Sequence, residues 1–428
     1  MHDKLHQSYI HTSRPGTRLT EFLGIIKWQV PVLIGIGAVA ATVWATQPRA
    51  DNAPIKIALL ADKTGPLEAY AKQTSAGFAM GLDYATGGTM TVAGRKLVVI
   101  EKDSQTKPDV GRTLLNEAYN DDGADLAVGG TSSAVALAML PVAEQNKKIL
   151  IVEPAVADSI TGDKWNRYIF RTARNSSQDA ISNALAIGKP GTVVATLAQD
   201  YAFGRDFVTA FKQALAPTGA QLVYEEYAPI ATTDFTAPYQ RIFDALAKHQ
   251  GRKIIFLNWA GGGGNPMSAL KALDPERLGI SMATGGNILP ALAAYKDFPG
   301  MEGSAYYYYE IPKNPVNDWL VVENKKRFNG APPDFFTCGG FIAAQAVVEA
   351  LTKTGGSTDA EKLIGTMEGM GWESPKGKVF FRKEDHQLMQ PMYAFKIKVD
   401  PKVAWAIPEL TRIIPIDEMH VPITNVRH

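Results

Sequence analysis

The stretch NWAGGGGNP, Asn258–Pro266, places four glycines in a row after the apolar run KIIFL. Glycine runs behind strands cradle phosphate when a Lys-Ser/Thr pair follows, but here Asn265 and Pro266 follow, so the phosphate-loop pattern is incomplete. Other reactive patterns are missing as well. Beyond residue 50 the histidines are His249, His386, His420 and His428, none at metal-ligand spacing from a cysteine or from one another. There is no G-x-S-x-G nucleophile elbow and no G-x-G-x-x-G after the first apolar run. Asp121–Asp122 and Glu225–Glu226 fall at helix ends or in strands and read as solvated charge. Cys338, the one cysteine, opens a helical pattern and reads as a small buried hydrophobe. No cofactor, metal or catalytic group is expected. Ser132 and Ser133 stand apart because they open an apolar helix. Free N–H groups and the helix dipole at such a start favour an anion. An N-cap role for either serine is the plainer alternative.

The elements that would carry these residues follow a clear rhythm. From Ile55, short apolar runs (IKIALLA, KLVVIEKD, ADLAVGG, KILIVEP) alternate with amphipathic helices. The rhythm restarts at TVVATLA and continues through QLVYEEY, KIIFLNW and GISMATG. It predicts an α/β protein of two doubly wound parallel-sheet lobes. After GSAYYYYEIP, read as a strand, three helices are expected near 315–329, 336–354 and 358–370. GKVFFRKEDHQLMQPMYAFKIK is read as two antiparallel strands about a turn. In doubly wound sheets small molecules bind beyond the carboxyl ends of the strands. Two facing lobes turn that crevice into a cleft.

The chain has 428 residues and a net charge of +1, and the part beyond residue 50 carries −2. No basic stripe supports nucleic-acid binding. Residues Trp28–Trp44 form an uncharged apolar segment preceded by Lys27, with Val43 and Ala45 at signal-peptidase spacing. Residues 1–50 are therefore expected to be a signal peptide or an N-terminal membrane anchor, with the remainder outside the cytoplasm.

The loops resemble a known family. IKIALLADKTGPLEAYAKQTSAGF, GGTSSAVALAMLPVAEQNKKILIVEPAVADSIT, YIFRTARNSSQ and QDYAFGRD, in this order, are similar to periplasmic binding proteins of ABC importers of the branched-chain amino-acid (Leu/Ile/Val) type. The resemblance runs from Ile55 to about Lys398. It implies the type I periplasmic binding protein fold, with lobes joined by a three-strand hinge. It places one lobe at 54–172 plus 304–376 and the other at 173–303 plus 377–428. It implies no catalysis: a periplasmic protein captures a small carboxylate and delivers it to an inner-membrane ABC permease.

The resemblance also implies a site. Tyr70 is an aromatic beside the ligand, Ser132 and Ser133 hold its carboxylate, and Val156 and Ala157 form the next loop. Phe203 and Trp259 add walls, and Gly262 and Gly285 leave space. Two departures matter. Ala157 stands where a hydroxyl would serve an ammonium, and Gly285–Gly286 stand where an acid would. A buried ammonium without a counter-charge is costly. The reading is a wide pocket for an aromatic or bulky acid, with a branched-chain amino acid as the alternative. A membrane-tethered sensor signalling through a partner, and an extracytoplasmic enzyme, are competing readings.

Overall fold

The computed structural model describes residues 53–425. The expectations for residues 1–50 lie outside the described residues.

The first sheet follows the expected rhythm. Its strands are β1 (Ile55–Ala61), β2 (Thr91–Val92), β3 (Arg95–Asp103), β4 (Leu126–Gly129), β5 (Leu150–Val152) and β6 (Ile169–Arg171), in the order β2-β3-β1-β4-β5-β6. All run parallel except β2, which folds back on β3. Strands β4 and β5 are buried throughout, as expected of a parallel sheet covered on both faces. Helices α1 (Glu68–Ala85), α2 (Pro108–Asn120) and α3 (Ser133–Asn146) link them. The order reverses between β1 and β4, so the loops after these two strands open a crevice. Gly129 ends β4 with φ of 142°, and a side chain there would meet the Leu60 carbonyl at 2.0 Å. That close approach turns the chain into the Thr131–Ser133 loop.

The second sheet contains β7 (Thr192–Gln199), β8 (Gln221–Ala228), β9 (Arg252–Asn258), β10 (Ile280–Thr284) and β11 (Glu302–Ala305). These are parallel and reverse order between β7 and β9. Helices α4 (Ser176–Ile187), α5 (Ala202–Leu215), α6 (Thr236–Ala247), α7 (Pro266–Ala272) and α8 (Leu289–Leu292) accompany it. Three expected helices then follow as α9 (Pro315–Arg327), α10 (Phe335–Lys353) and α11 (Ala360–Met367). Asn314 and Asp334 cap α9 and α10 with their side chains.

The last stretch departs from expectation. Strands β12 (Gly371–Ser374), β13 (Gly377–Phe381) and β14 (Leu388–Met389) form a small antiparallel sheet. The next strands, β15 (Met392–Lys398) and β16 (Ile407–Ile414), instead extend the second sheet, β15 antiparallel to β11 and β16 antiparallel to β15. So GKVFF and MYAFKIK are not one hairpin. Val379, Phe381 and Leu388 pack with β1 and β4 in the first core, while Phe395 and Ile397 of β15 pack in the second. Strand β11 is hydrogen-bonded into the second sheet. The tyrosine run is not a strand either. Tyr306, Tyr307 and Tyr308 lie beyond β11 and are all buried.

Helix α10 is apolar on every side because it is buried on nearly every side. It packs on α1 through glycines: a side chain at Gly77 would meet the Thr337 carbonyl oxygen at 2.0 Å, and one at Gly340 would meet the Thr74 carbonyl oxygen at 2.0 Å. Gly77→Ala is therefore expected to destabilise the fold by about 1–3 kcal/mol or more. Gly365→Ala, on the exposed face of α11 with no neighbour within 4 Å, should stabilise it by about 0.5–1 kcal/mol. Urea unfolding of the two variants measures both signs, and equal midpoints would contradict this packing.

Candidate functional site

A cavity of about 80 Å³ lies where the two crevices meet, lined from both lobes. The loop after β1 supplies Leu67, and α1 supplies Tyr70. The β4–α3 loop supplies Thr131 and the start of α3 supplies Ser133. The loops after β7, β9 and β10 supply Tyr201, Trp259 and Gly285. Phe335 and Phe336 close it from the start of α10. Nine of the lining residues are aromatic, and the rings of Tyr70 and Phe336 lie 4.4 Å apart.

Six of the nine residues expected at the site line this cavity: Tyr70, Ser133, Val156, Phe203, Trp259 and Gly285. Ser132, Ala157 and Gly262 do not. Ser132 is the buried N-cap of α3, but its side chain makes no capping hydrogen bond. The first N–H groups of α3 thus lack a side-chain cap, and Ser133 Oγ accepts only from the Ala157 N–H, at 3.2 Å. Its hydroxyl proton remains available to an anion. Ala157 is fully buried. Its carbonyl accepts from Arg171 Nη1 at 2.6 Å, so it braces the loop rather than touching the cavity.

The glycine run does not widen this wall. A side chain at Gly261 would meet the Pro66 carbonyl oxygen at 3.0 Å, and one at Gly262 (φ 88°) would meet Ile230 at 2.9 Å. The run brings the β9–α7 loop against Pro66 of the other lobe, where a Cβ would hold it off. Asn265 then caps α7 and Pro266 occupies its first turn. Nearby, the Tyr70 hydroxyl donates to the Ala260 carbonyl at 2.6 Å, a bond between the lobes. Asp334 accepts from Gln73 of one lobe at 2.8 Å and from the Leu289 N–H of the other at 2.9 Å. Burial pushes its carboxyl up to about 6.

Sequence reasoning missed the two charges in the cavity wall. Arg174, at the first crossing between the lobes, and Asp179, in the first turn of α4, form an ion pair with Nε to Oδ1 at 3.1 Å. The Arg174 guanidinium also faces the Phe335 ring at 4.9 Å. An acid is thus present although Gly285–Gly286 carry none, and burial raises its pKa while Arg174 draws it back. Asp158 is no substitute, because both its oxygens take Ser177, the N–H at 2.9 Å and the hydroxyl at 2.6 Å. The signal for Arg174 lay within YIFRTARNSSQ, a cation at a crossing that must be desolvated. Asp179 faces the cavity only because α4 starts at Asn175–Gln178, where a reciprocal capping box sets its first turn.

A family model described as periplasmic binding protein matches residues 54–402. The Leu/Ile/Val-binding protein homolog 6 of Brucella melitensis is 26% identical over 352 residues, covering 79% of this chain and 86% of its own. Among solved structures, an ABC-type branched-chain amino acid transporter from Rhodopseudomonas palustris is 68% identical, with a TM-score of 0.79 over 87% of this chain and 100% of its own. A solute-binding protein of an ABC transporter from another Rhodopseudomonas palustris strain, in complex with 3,4-dihydroxybenzoic acid, is 30% identical. It has a TM-score of 0.74 over 85% of this chain and 98% of its own.

Behind the wall, Glu153 is buried against α10, accepts from Thr172 Oγ1 at 3.0 Å, and sits near Arg174, Lys376 and Arg171. Burial outweighs these partners and pushes its carboxyl up from 4.5 to about 7. A raised acid pKa means the folded state holds the proton more tightly than the unfolded chain. The stability this contributes is complete below about pH 4.5 and is lost as pH rises through about 7. Glu153→Gln should remove that loss. Urea unfolding at pH 5 and pH 8 should show a smaller pH difference in the variant, by roughly 3 kcal/mol at most. Identical pH differences in the two proteins would contradict it.

Proposed function

The chain belongs to the periplasmic binding protein family, and from that premise we propose that it captures a bulky, ring-bearing carboxylate between its lobes for an ABC permease in the inner membrane. It binds and does not transform its solute, as its family does. The observation that carries the reading is the composition of the cavity wall. Nine aromatic residues share the cavity with an uncapped helix start, and Asp179, the one acid among the lining residues, is already paired with Arg174. An anion finds donors there, whereas an ammonium would have to part an ion pair. The relative in complex with 3,4-dihydroxybenzoic acid supports the same chemistry. The space of about 80 Å³ is smaller than the roughly 150 Å³ cavity that holds benzene in a well-studied case, so the lobes must part to load a ring. A branched-chain amino acid is the second reading. It is favoured by the presence of Asp179 and by the name of the relative at 68% identity. On either reading the protein works in the periplasm, with residues 28–44 cleaved or kept as an anchor. Mass spectrometry of the native N-terminus separates those two.

Side-by-side titration calorimetry with benzoate-type acids and leucine tests the proposal. Ring acids should bind, and at 100 times the dissociation constant they should add about 2.7 kcal/mol of stability. Micromolar leucine binding without a response to any ring acid would leave the amino-acid reading instead. Ser133→Ala should weaken the acid about ten- to a hundredfold, the loss of one hydrogen bond to a charge. Ser132→Ala, off the cavity, should cost less than threefold. Equal effects of the two substitutions would move the anion away from Ser133.

A further inference from the structure

The Arg174–Asp179 pair sits in the cavity wall with more hydrogen-bonding capacity than its own contact uses. Arg174 spends its Nε on Asp179 Oδ1. Among the described residues its two terminal nitrogens make no hydrogen bond, although the side chain is only 11% exposed. The guanidinium is held against the ring of Phe335 at 4.9 Å and that of Tyr306 at 5.6 Å, so its plane is fixed. The carboxylate of Asp179 is fixed from the other side by α4. Neighbouring Asn183 is held in place: its oxygen accepts from the Ser304 N–H at 2.8 Å and its nitrogen donates to the Asp179 carbonyl at 2.8 Å. Three other residues of the same wall, Asn258, Ser304 and Tyr306, carry buried polar atoms that make no hydrogen bond among the described residues: Nδ2, Oγ and the hydroxyl.

We propose that this pair is a specificity-determining element that reads a neutral hydroxyl on the ring of the bound acid, so that the solute is a ring-hydroxylated aromatic carboxylate. The inference rests on the aromatic-acid reading above. An ion pair offers a strong donor and a strong acceptor side by side with no net charge. A hydroxyl both accepts and donates, so it can take one bond from Arg174 and give one to Asp179. A second carboxylate would be repelled by Asp179, and an ammonium by Arg174. An unsubstituted ring would leave the unused terminal donors of Arg174 and the second carboxylate oxygen of Asp179 without a ligand partner when water is expelled, a cost incurred for each buried polar group. The solute's carboxylate goes to the α3 start in the other lobe, so its two polar groups engage opposite walls of the cleft.

The test is calorimetry on the full chain with three probes: benzoate, 3-hydroxybenzoate and 4-hydroxybenzoate. The wild type should prefer at least one hydroxybenzoate over benzoate by about tenfold or more, the loss expected for one bond to a charged group. In Asp179→Asn and Arg174→Gln that ratio should shrink to about threefold or less. A wild-type ratio near one overturns the inference and leaves the aromatic-acid reading standing. Hydroxybenzoate and benzoate affinities that fall together in the variants, with the ratio unchanged, also overturn it, because the pair then seats the carboxylate or holds the fold. No binding of any ring acid removes both the reading and the inference. Should Arg174→Gln not fold, the wild-type ratio and Asp179→Asn decide by themselves, with melting curves confirming the folded state of the variant.

Discussion

One buried lysine side chain ties the two lobes together. Lys376 is 4% exposed, and its Nζ donates to Gln390 Oε1 at 3.1 Å. The same nitrogen sits 3.8 Å from the centre of the Tyr306 ring. Gln390 Nε2 in turn donates to the Thr172 carbonyl at 3.3 Å. Thr172, Tyr306 and Gln390 belong to the three crossings between the lobes. Burial drives the pKa of this amine well below the ordinary lysine value, and its polar tip, out of reach of water, depends on these partners. The crossings are therefore held in one relative arrangement, and the loops they launch inherit it. Arg174 follows Thr172 by two residues, and Tyr306 is itself part of the cavity wall.

A buried cation holds the binding loop between β5 and β6. Arg171 is fully buried, and its pKa is lowered by burial to about 10. Its Nε donates to Gln387 Oε1 at 2.6 Å, Nη1 to the Ala157 carbonyl at 2.6 Å, and Nη2 to Thr161. Each of its three nitrogens thus has a partner, which suits a guanidinium out of reach of water. Through Ala157 it fixes the turn that presents Pro154 to Val156, and through Gln387 it connects that turn to the β13–β14 hairpin. The cavity is rigid at its back, where the crossings lie. It is closed at its front by bonds a hinge can break, such as Tyr70 to Ala260 and Asp334 to Leu289. This division suits a protein that must hold a solute and release it.

The glycine run belongs to the front. It lets one lobe's loop lie close against Pro66 of the other, where a Cβ at Gly261 would meet the Pro66 carbonyl oxygen at 3.0 Å. The chain end adds a further link. Arg382 Nη1 donates to the Val421 carbonyl at 2.6 Å, so the segment after β16 returns to the hairpin of the first lobe.

Much of this was legible in the amino-acid order because it depends on local periodicity. Alternating apolar runs and amphipathic helices specified two parallel sheets. Strand ends followed by polar loops specified where a cleft would open, and the resemblance of those loops to the family placed Tyr70, Ser133 and Trp259 beside it. Tertiary structure decided what depends on contacts between distant segments. The split of GKVFF from MYAFKIK follows from which sheet offers each an unpaired edge, and no local pattern records that. The burial of Tyr306 to Tyr308 follows from a crossing rather than a strand. The pairing of Arg174 with Asp179 arises because a crossing and a capped helix bring a cation and an anion to one desolvated wall. Charges five residues apart look like ordinary surface polarity in a sequence, and only the packing of Phe335, Phe336 and Tyr306 around them shows that water is excluded there.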